Sequence, residues 1–375
     1  MQTRNTVQRQ IVLQAVRSLH DHPTADSVYA VIAAEHPSIS KATVYRNLNQ
    51  LAVQGEILRV PVPTGADRFD FNTQEHYHVR CTECGNVYDV FMPPISDLLD
   101  RVTDSSDVEL THYDILFEGR DPEEFKRHVA VQAAIEIGFE RFLEEKNYQA
   151  VVTHFGDLGS LQQLPGLAMQ RLMEKGYGFG AEGDWKTAAM VRLMKIMTAG
   201  VKDAKGTSFM EDYTYNLVPG KEGILQSHML EVCPTIADGK IGIKVCPLSM
   251  GDREDPARLV FTSKTGPAIA TSLVDLGDRF RLIINDVECK MTEKPMPKLP
   301  VGSAFWTPQP DLATGAEAWI LAGGAHHTAF SYDLTAEQMG DWAAAMGIEA
   351  VYIDKDTTIR NFRNELRWNE LAFRK

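Results

Sequence analysis

The period at which apolar residues recur changes several times along this chain, and those changes exclude any single small domain. Over the first 55 residues the period is helical, with Val12, Ala15, Val16 and Leu19 at the i, i+3, i+4, i+7 spacing of one buried face. Thr24 is placed to cap a second helix whose Val28, Val31 and Ile32 share a side. Ser40 is placed to cap a third, with Val44, Leu48, Leu51 and Ala52 inward and Lys41, Thr43, Tyr45, Arg46 and Asn49 pointing elsewhere, ended by Gly55. Two β-like runs follow, 57–62 and 68–71, separated by Pro63-Thr64-Gly65-Ala66. Three helices and a hairpin predict a winged helix-turn-helix whose third helix is the candidate reader of double-stranded DNA. A plain three-helix bundle with a solvated polar face is the alternative.

Past this region helix and strand alternate. A long amphipathic helix is expected over 125–145, with Val131, Ile135, Phe139 and Phe142 on one side, then a strand over 150–155 and a helix over 167–175. Asp184 is placed to cap another helix, in which Met190, Leu193, Met194 and Met197 keep helical spacing. Beyond residue 203 the pattern turns to β, with short apolar runs at 240–245, 258–262, 268–273 and 280–284. A helix over 336–346 and a strand over 350–353 close it.

With 44% apolar and 24% charged residues the chain has enough material for sizeable cores. A formal charge of -13 argues against non-specific binding of nucleic acid by the whole molecule. Residues 1–60 nevertheless carry a net charge of +2, enough for a small DNA-reading module. No opening stretch combines a basic start, an apolar run and a small-residue cleavage site, and no window of about 18 residues is continuously apolar. The expectation is a cytoplasmic protein without a membrane partner. Five cysteines, at 81, 84, 233, 246 and 289, are too few and odd in number for an extracellular disulfide framework.

The densest group of ligand residues in the front part is His76-Tyr77-His78 followed by Cys81-Thr82-Glu83-Cys84. Imidazoles two residues apart on a strand point the same way and reach one cation, while the thiolate pair suits a separate zinc. A surface histidine pair beside two reduced thiols is the alternative. The runs His22-Pro23-Thr24-Ala25-Asp26, 37–48, Arg68-Phe69-Asp70-Phe71 and 76–85 come in an order that resembles the ferric-uptake-regulator family, nearest its peroxide-responsive branch, over residues 1–120. The resemblance implies a regulatory iron or manganese held by His22, Asp70, His76, His78 and Asp89, which sets the spacing of paired reading helices in a dimer. With iron bound, it further implies that peroxide oxidises His76 or His78. The family's second CxxC is replaced here by Asp121-Pro122-Glu123-Glu124, so the zinc of Cys81 and Cys84 keeps only half its ligands.

Four residues stand out in the rear part: Glu182 before a capped helix, Glu211 in Phe209-Met210-Glu211-Asp212-Tyr213, His228 in Ser227-His228-Met229-Leu230-Glu231, and His327 after Gly323-Gly324. Taken singly, each is an ordinary solvated or structural side chain. The runs 163–168, 182–188, 207–215, 227–234 and 322–328 resemble the L-arabinose isomerase family in order and spacing, from about residue 126 to the end. The resemblance implies that Glu182, Glu211, His228 and His327 bind manganese, that Glu182 and Glu211 shuttle the proton, and that Phe155 and Tyr213 line the pocket for L-arabinose or a similar aldose. The leading portion of that family, which the resemblance associates with hexamer assembly and pocket completion, has no counterpart here.

The expected fold class is α+β multidomain. It comprises a winged helix-turn-helix at 1–72, a truncated small α/β metal-binding and dimerisation module at 73–121, a partial α/β (Rossmann-like) domain at 122–202 and a β-rich, barrel-like domain at 203–375. Three functions compete: a manganese-dependent aldose-ketose isomerase, a metal- or peroxide-responsive repressor, and a non-functional fusion of two genes. The last predicts apolar faces without partners around residues 100–200.

Overall fold

The computed structural model describes residues 7–19, 22–63, 65–82, 85–93, 95, 97–99, 102, 110, 113–119, 121–248, 250, 252–292, 296 and 299–373. It is a mixed α/β, multidomain molecule with two compact units, Met1–Phe125 and Lys126–Lys375.

In the first unit, α1 (Val7–Ser18), α2 (Ala25–Glu35) and α3 (Lys41–Val53) pack around Val12, Val16, Val28, Ile32, Val44, Leu48 and Leu51. Thr24 and Ser40 accept from the amides of Ser27 and Thr43, satisfying donors that a first helical turn leaves free. Gly55, two residues beyond α3, takes a left-handed φ of 69°. Val31 departs from expectation and is exposed, because the buried stripe of α2 centres on Ala25, Val28 and Ile32 and leaves position 31 at its edge. The hairpin is shorter than the pattern predicted, with β1 (Leu58–Val60) antiparallel to β2 (Arg68–Asp70). A three-stranded sheet follows, in which β3 (Tyr77–Cys81) lies between antiparallel β4 (Val87–Val90) and parallel β5 (Leu116–Gly119).

The helix α4 (Pro122–Lys146) leads into the second unit, where β6 (Ala150–Thr153), α5 (Gly166–Glu174), β7 (Gly178–Ala181) and α6 (Trp185–Met197) form a β-α-β-α run with β6 and β7 parallel. On α4, Ile135 and Leu143 enter the core, whereas Phe142 is 48% exposed. Val131, Phe139 and Phe142 line an open, largely apolar groove of about 730 Å³ with Ala130, Ala134 and Leu161. The expected stripe thus forms, but only part of it is covered.

The remaining elements are β8 (Thr207–Asn216), β9 (Gly223–Ser227), β10 (Gly242–Val245), β11 (Ala257–Val260), β12 (Gly266–Asp275), β13 (Phe280–Lys290), β14 (Ala304–Pro308), α7 (Leu312–Ala322), β15 (His327–Ser331), α8 (Ala336–Met346), β16 (Glu349–Ile353) and α9 (Ile359–Phe373). Six strands run in the order β12-β15-β8-β9-β14-β13, and β13 pairs back onto β12 from Cys289 to Phe280. The ring is therefore closed, which leaves no edge among these strands. Outside it, β16 adds parallel to the first half of β13, and β10 pairs with β11 as a separate hairpin. The core joins α4, α5, α6 and α8 to the wall of the barrel through Met169, Leu172, Met190, Met194, Phe209, Ile269, Leu282 and Met339. Each such side chain contributes roughly 1.5–3 kcal/mol by leaving water. No helix among the described residues is long and apolar enough to cross a membrane, and Cys81, Cys233, Cys246 and Cys289 form no disulfide among the described residues.

Candidate metal centres

In the first unit the turn before α2 and the strands β2, β3 and β4 bring five side chains to one point. The backbone bridge between Thr24 and Arg68 ties the residue before α2 to the hairpin, so His22 and Asp70 become neighbours. His78 on β3 lies opposite Asp89 on β4, and His76 precedes it by two residues on the same face. The donor atoms of His22, Asp70, His76, His78 and Asp89 all lie within 4.8 Å of one another. Asp70 Oδ2 is 3.1 Å from His76 Nε2 and 3.6 Å from His78 Nε2, and Asp89 Oδ1 is 2.8 Å from His22 Nε2 and 3.1 Å from His76 Nε2. Ligands at right angles around a cation with bonds of about 2.1 Å stand roughly 3.0 Å apart, so the set has the spacing of a coordination shell.

Second contacts orient this set. His76 Nδ1 is 2.6 Å from the carbonyl of Gln74, which turns Nε2 toward the cluster. Asp70 Oδ1 accepts from the amide of Asn72, which leaves Oδ2 to face the imidazoles of His76 and His78. Burial lowers the pKa of His22 against the pull of Asp70 and Asp89. Burial opposes ionisation of Asp70, but hydrogen bonds from His78 and Asn72 outweigh it and hold the carboxyl below its usual range. Cys81 is buried at the end of β3, while Cys84 lies outside the described residues.

On α3 the side chains of Lys41, Tyr45, Arg46 and Asn49 are exposed and Thr43 is half-buried. Lys41 and Tyr45 are tied to Asp26 on α2, at 2.8 Å and 2.7 Å.

In the second unit the barrel builds the other site. His327 on β15 lies opposite Glu211 on β8, and Glu211 opposite Ser227 on β9, so Glu211, His327 and the adjoining His228 share one level across three strands. The β8–β9 register shifts between Asp212 and Thr214, a bulge that sets Tyr213, two residues after Glu211, apart from the ladder. Glu182 leaves β7 in left-handed backbone, φ 58°, followed by Gly183 at 85°. Its carboxylate groups with the imidazoles of His326 and His327, with donor atoms within 4.8 Å of one another.

Both histidines assigned by resemblance are oriented in the same way. His228 Nδ1 is 2.5 Å from Glu231 and its Nε2 is 3.9 Å from Glu211. His327 Nδ1 is 3.5 Å from Asp184, and its buried Nε2 has no hydrogen-bond partner among the described residues. The rings of His228 and His327 are 5.9 Å apart, each 5.0 Å from the ring of Phe209. Carboxylates on Nδ1 leave Nε2 as the lone-pair donor, the arrangement that second contacts impose on metal-binding imidazoles. The donor chemistry and the orphaned Nε2 therefore fit a divalent cation. Burial would depress the His228 pKa, but Glu231 raises it. Burial also works against ionised Asp184, yet hydrogen bonds from His327 and Thr187 hold it well below the usual carboxylate range. Phe155 lines a small pocket with Glu182, His228 and Glu231, and burial and Glu211 together raise the Tyr213 phenol. The sequence reading missed His326, Asp184 in its orienting role, and Glu231. Only the adjacency of these residues to assigned ligands marks them in the sequence.

Comparison with known proteins finds a likeness to one family that begins inside the first unit and runs through the second. Residues 206–349 match the family model of the L-arabinose isomerase C-terminal domain, and residues 51–200 match that of the L-arabinose isomerase central domain. The L-arabinose isomerase 1 of Bacillus licheniformis is 57% identical over 284 residues, covering 75% of this chain and 57% of that protein. The L-arabinose isomerase of Geobacillus stearothermophilus is 49% identical over 333 residues, covering 88% of this chain and 65% of that protein. The matches thus span 57–65% of the length of these relatives. Among solved structures, a ferric uptake regulator from Francisella tularensis with iron is 24% identical over 33% of this chain and 95% of that chain, at a TM-score of 0.29.

Proposed function

We propose that the second unit carries out a divalent-metal aldose-ketose isomerisation, converting L-arabinose or a similar aldose to its ketose. The observation that carries this reading is the pair of imidazoles, His228 and His327, each held through Nδ1 by a carboxylate beside Glu211 and Glu182. The matches to L-arabinose isomerase central and C-terminal domains support it. Glu182, Glu211, His228 and His327 would hold manganese. When bound, the cation supplies positive charge against the negative charge that develops on the sugar oxygens.

The chain's own carboxylates move the proton. Glu182 or Glu211 removes it from C2 of the open-chain aldose to leave an enediolate, the proton of the C2 hydroxyl passes to O1, and the same carboxylate or its partner returns a proton to C1 to give the ketose. Phe155 and Tyr213 would pack against the sugar and limit its approach. The domains implied are 122–202, which supplies Glu182, and 203–375, which supplies the other three ligands. Incubation with manganese and L-arabinose is expected to yield L-ribulose, and Glu211→Gln to lower the rate by about 10²–10⁴-fold. Absence of product at high protein concentration overturns the reading.

The five-donor cluster favours a second reading, in which the first unit is a metal-responsive DNA-binding regulator. Its winged helix-turn-helix would span 1–72 and its metal module 73–121. Imidazole and carboxylate donors from His22, Asp70, His76, His78 and Asp89 suit divalent iron or manganese. Lys41, Thr43, Tyr45, Arg46 and Asn49 would face double-stranded DNA from α3. A palindromic A·T-rich duplex is expected to be retarded in a gel only when manganese or iron is present. Absent or metal-independent retardation overturns this reading.

A further inference from the structure

The outer face of α3 is not a free cationic surface. Asp26, in the first turn of α2, takes the Lys41 ammonium at 2.8 Å and the Tyr45 hydroxyl at 2.7 Å on the same carboxylate oxygen. The Lys41 nitrogen lies 5.8 Å from the centre of the Tyr45 ring, so the three groups close into one cluster. Arg46, one residue further along, has no ion pair among the described residues and is exposed.

From this geometry we infer that Asp26 is a specificity-determining residue, an intramolecular competitor that occupies Lys41 and Tyr45 until a correctly placed phosphate displaces it. The inference rests on the regulator reading of the first unit. Lys41 and Tyr45 are donors of the kind that bind DNA phosphates, which position a protein without reading sequence. A carboxylate that already holds both takes away phosphate affinity that is indifferent to sequence and repels phosphates that approach off register. The cluster is solvent-exposed, with Asp26 and Lys41 side chains 61% and 54% accessible, so the pair is screened and exchanges readily. A duplex in the right register thus recruits Lys41 at little cost, whereas a random one meets a neutralised face.

The test is manganese-loaded full-length protein titrated with a palindromic A·T-rich duplex and with a random-sequence duplex over a range of salt. Asp26→Asn is expected to raise affinity for the random duplex by about 3- to 10-fold, with a smaller gain on the palindrome, so that the ratio between them falls. The salt dependence on random DNA is expected to steepen by about 0.9, the signature of one added phosphate contact. Lys41→Ala in the Asp26→Asn background should remove that extra slope. Equal affinities and slopes for the parent and Asp26→Asn overturn the inference alone. Failure of both to bind either duplex overturns the regulator reading and the inference with it.

Discussion

Two candidate ligands, His22 and Glu182, occupy left-handed backbone at φ 49° and 58°. Side chains with a Cβ rarely adopt this conformation, which costs roughly 1–2 kcal/mol relative to the right-handed region. Each is followed by a helix start, so the strained residue aims its side chain back toward the cluster while the chain turns. Glycine at such a position relieves the strain and loses only about 0.5–1 kcal/mol to the freedom of the unfolded chain. Glu182→Gly is therefore expected to leave the metal-free protein as stable or up to about 1 kcal/mol more stable, while removing the manganese-dependent rise in melting temperature of the second unit. A variant less stable by more than 1 kcal/mol without metal would show that Glu182 serves the fold rather than the site. The orienting carboxylates are invisible at this scale of sequence reading. Asp184 is legible as a helix cap, and it does accept from the Thr187 amide at 3.1 Å, but its approach to His327 depends on a strand 143 residues further along.

At the scale of elements, the turn from β7 to α6 delivers Glu182, and its tightness depends on Gly180. A Cβ at that position would stand 2.2 Å from the backbone carbonyl oxygen of Asp184, which has no rotamer by which to yield. Gly180→Ala must therefore push α6 away from β7, at a cost of about 1–3 kcal/mol for overpacking, and it shifts Glu182 and Asp184 together. The expected result is a lower denaturation midpoint and weaker manganese binding. An unchanged manganese affinity would sever the link between this turn and the site. The other delivery device is the bulge on β8, which separates Glu211 from Tyr213 in register and turns the strand at the rim of the barrel. Periodicity could not announce β8, because its core half reads Thr-Ser-Phe-Met, buried on both faces, and its outer half is a polar and aromatic run. For the same reason β9 and β15, buried at every residue, show no alternation to detect.

At the scale of the molecule, two compact units each gather their own set of donors, one at a junction of short strands and one at the end of a closed barrel. Caps, helical stripes and turn residues are local, and they were readable: Thr24, Ser40 and Asp184 cap where expected, and α8 spans the predicted 336–346. Local chemistry acts within a few residues, so a single sequence determines it. Family resemblance singled out distant candidate ligands, but not how they are held. Closure of the barrel through β12 and β13, the shared level of Glu211, His228 and His327, and the carboxylates behind each imidazole were decided only by tertiary structure. These contacts pair residues far apart in the chain, and which partner a strand or an imidazole takes is set by the packing of the whole barrel rather than by its neighbours in sequence.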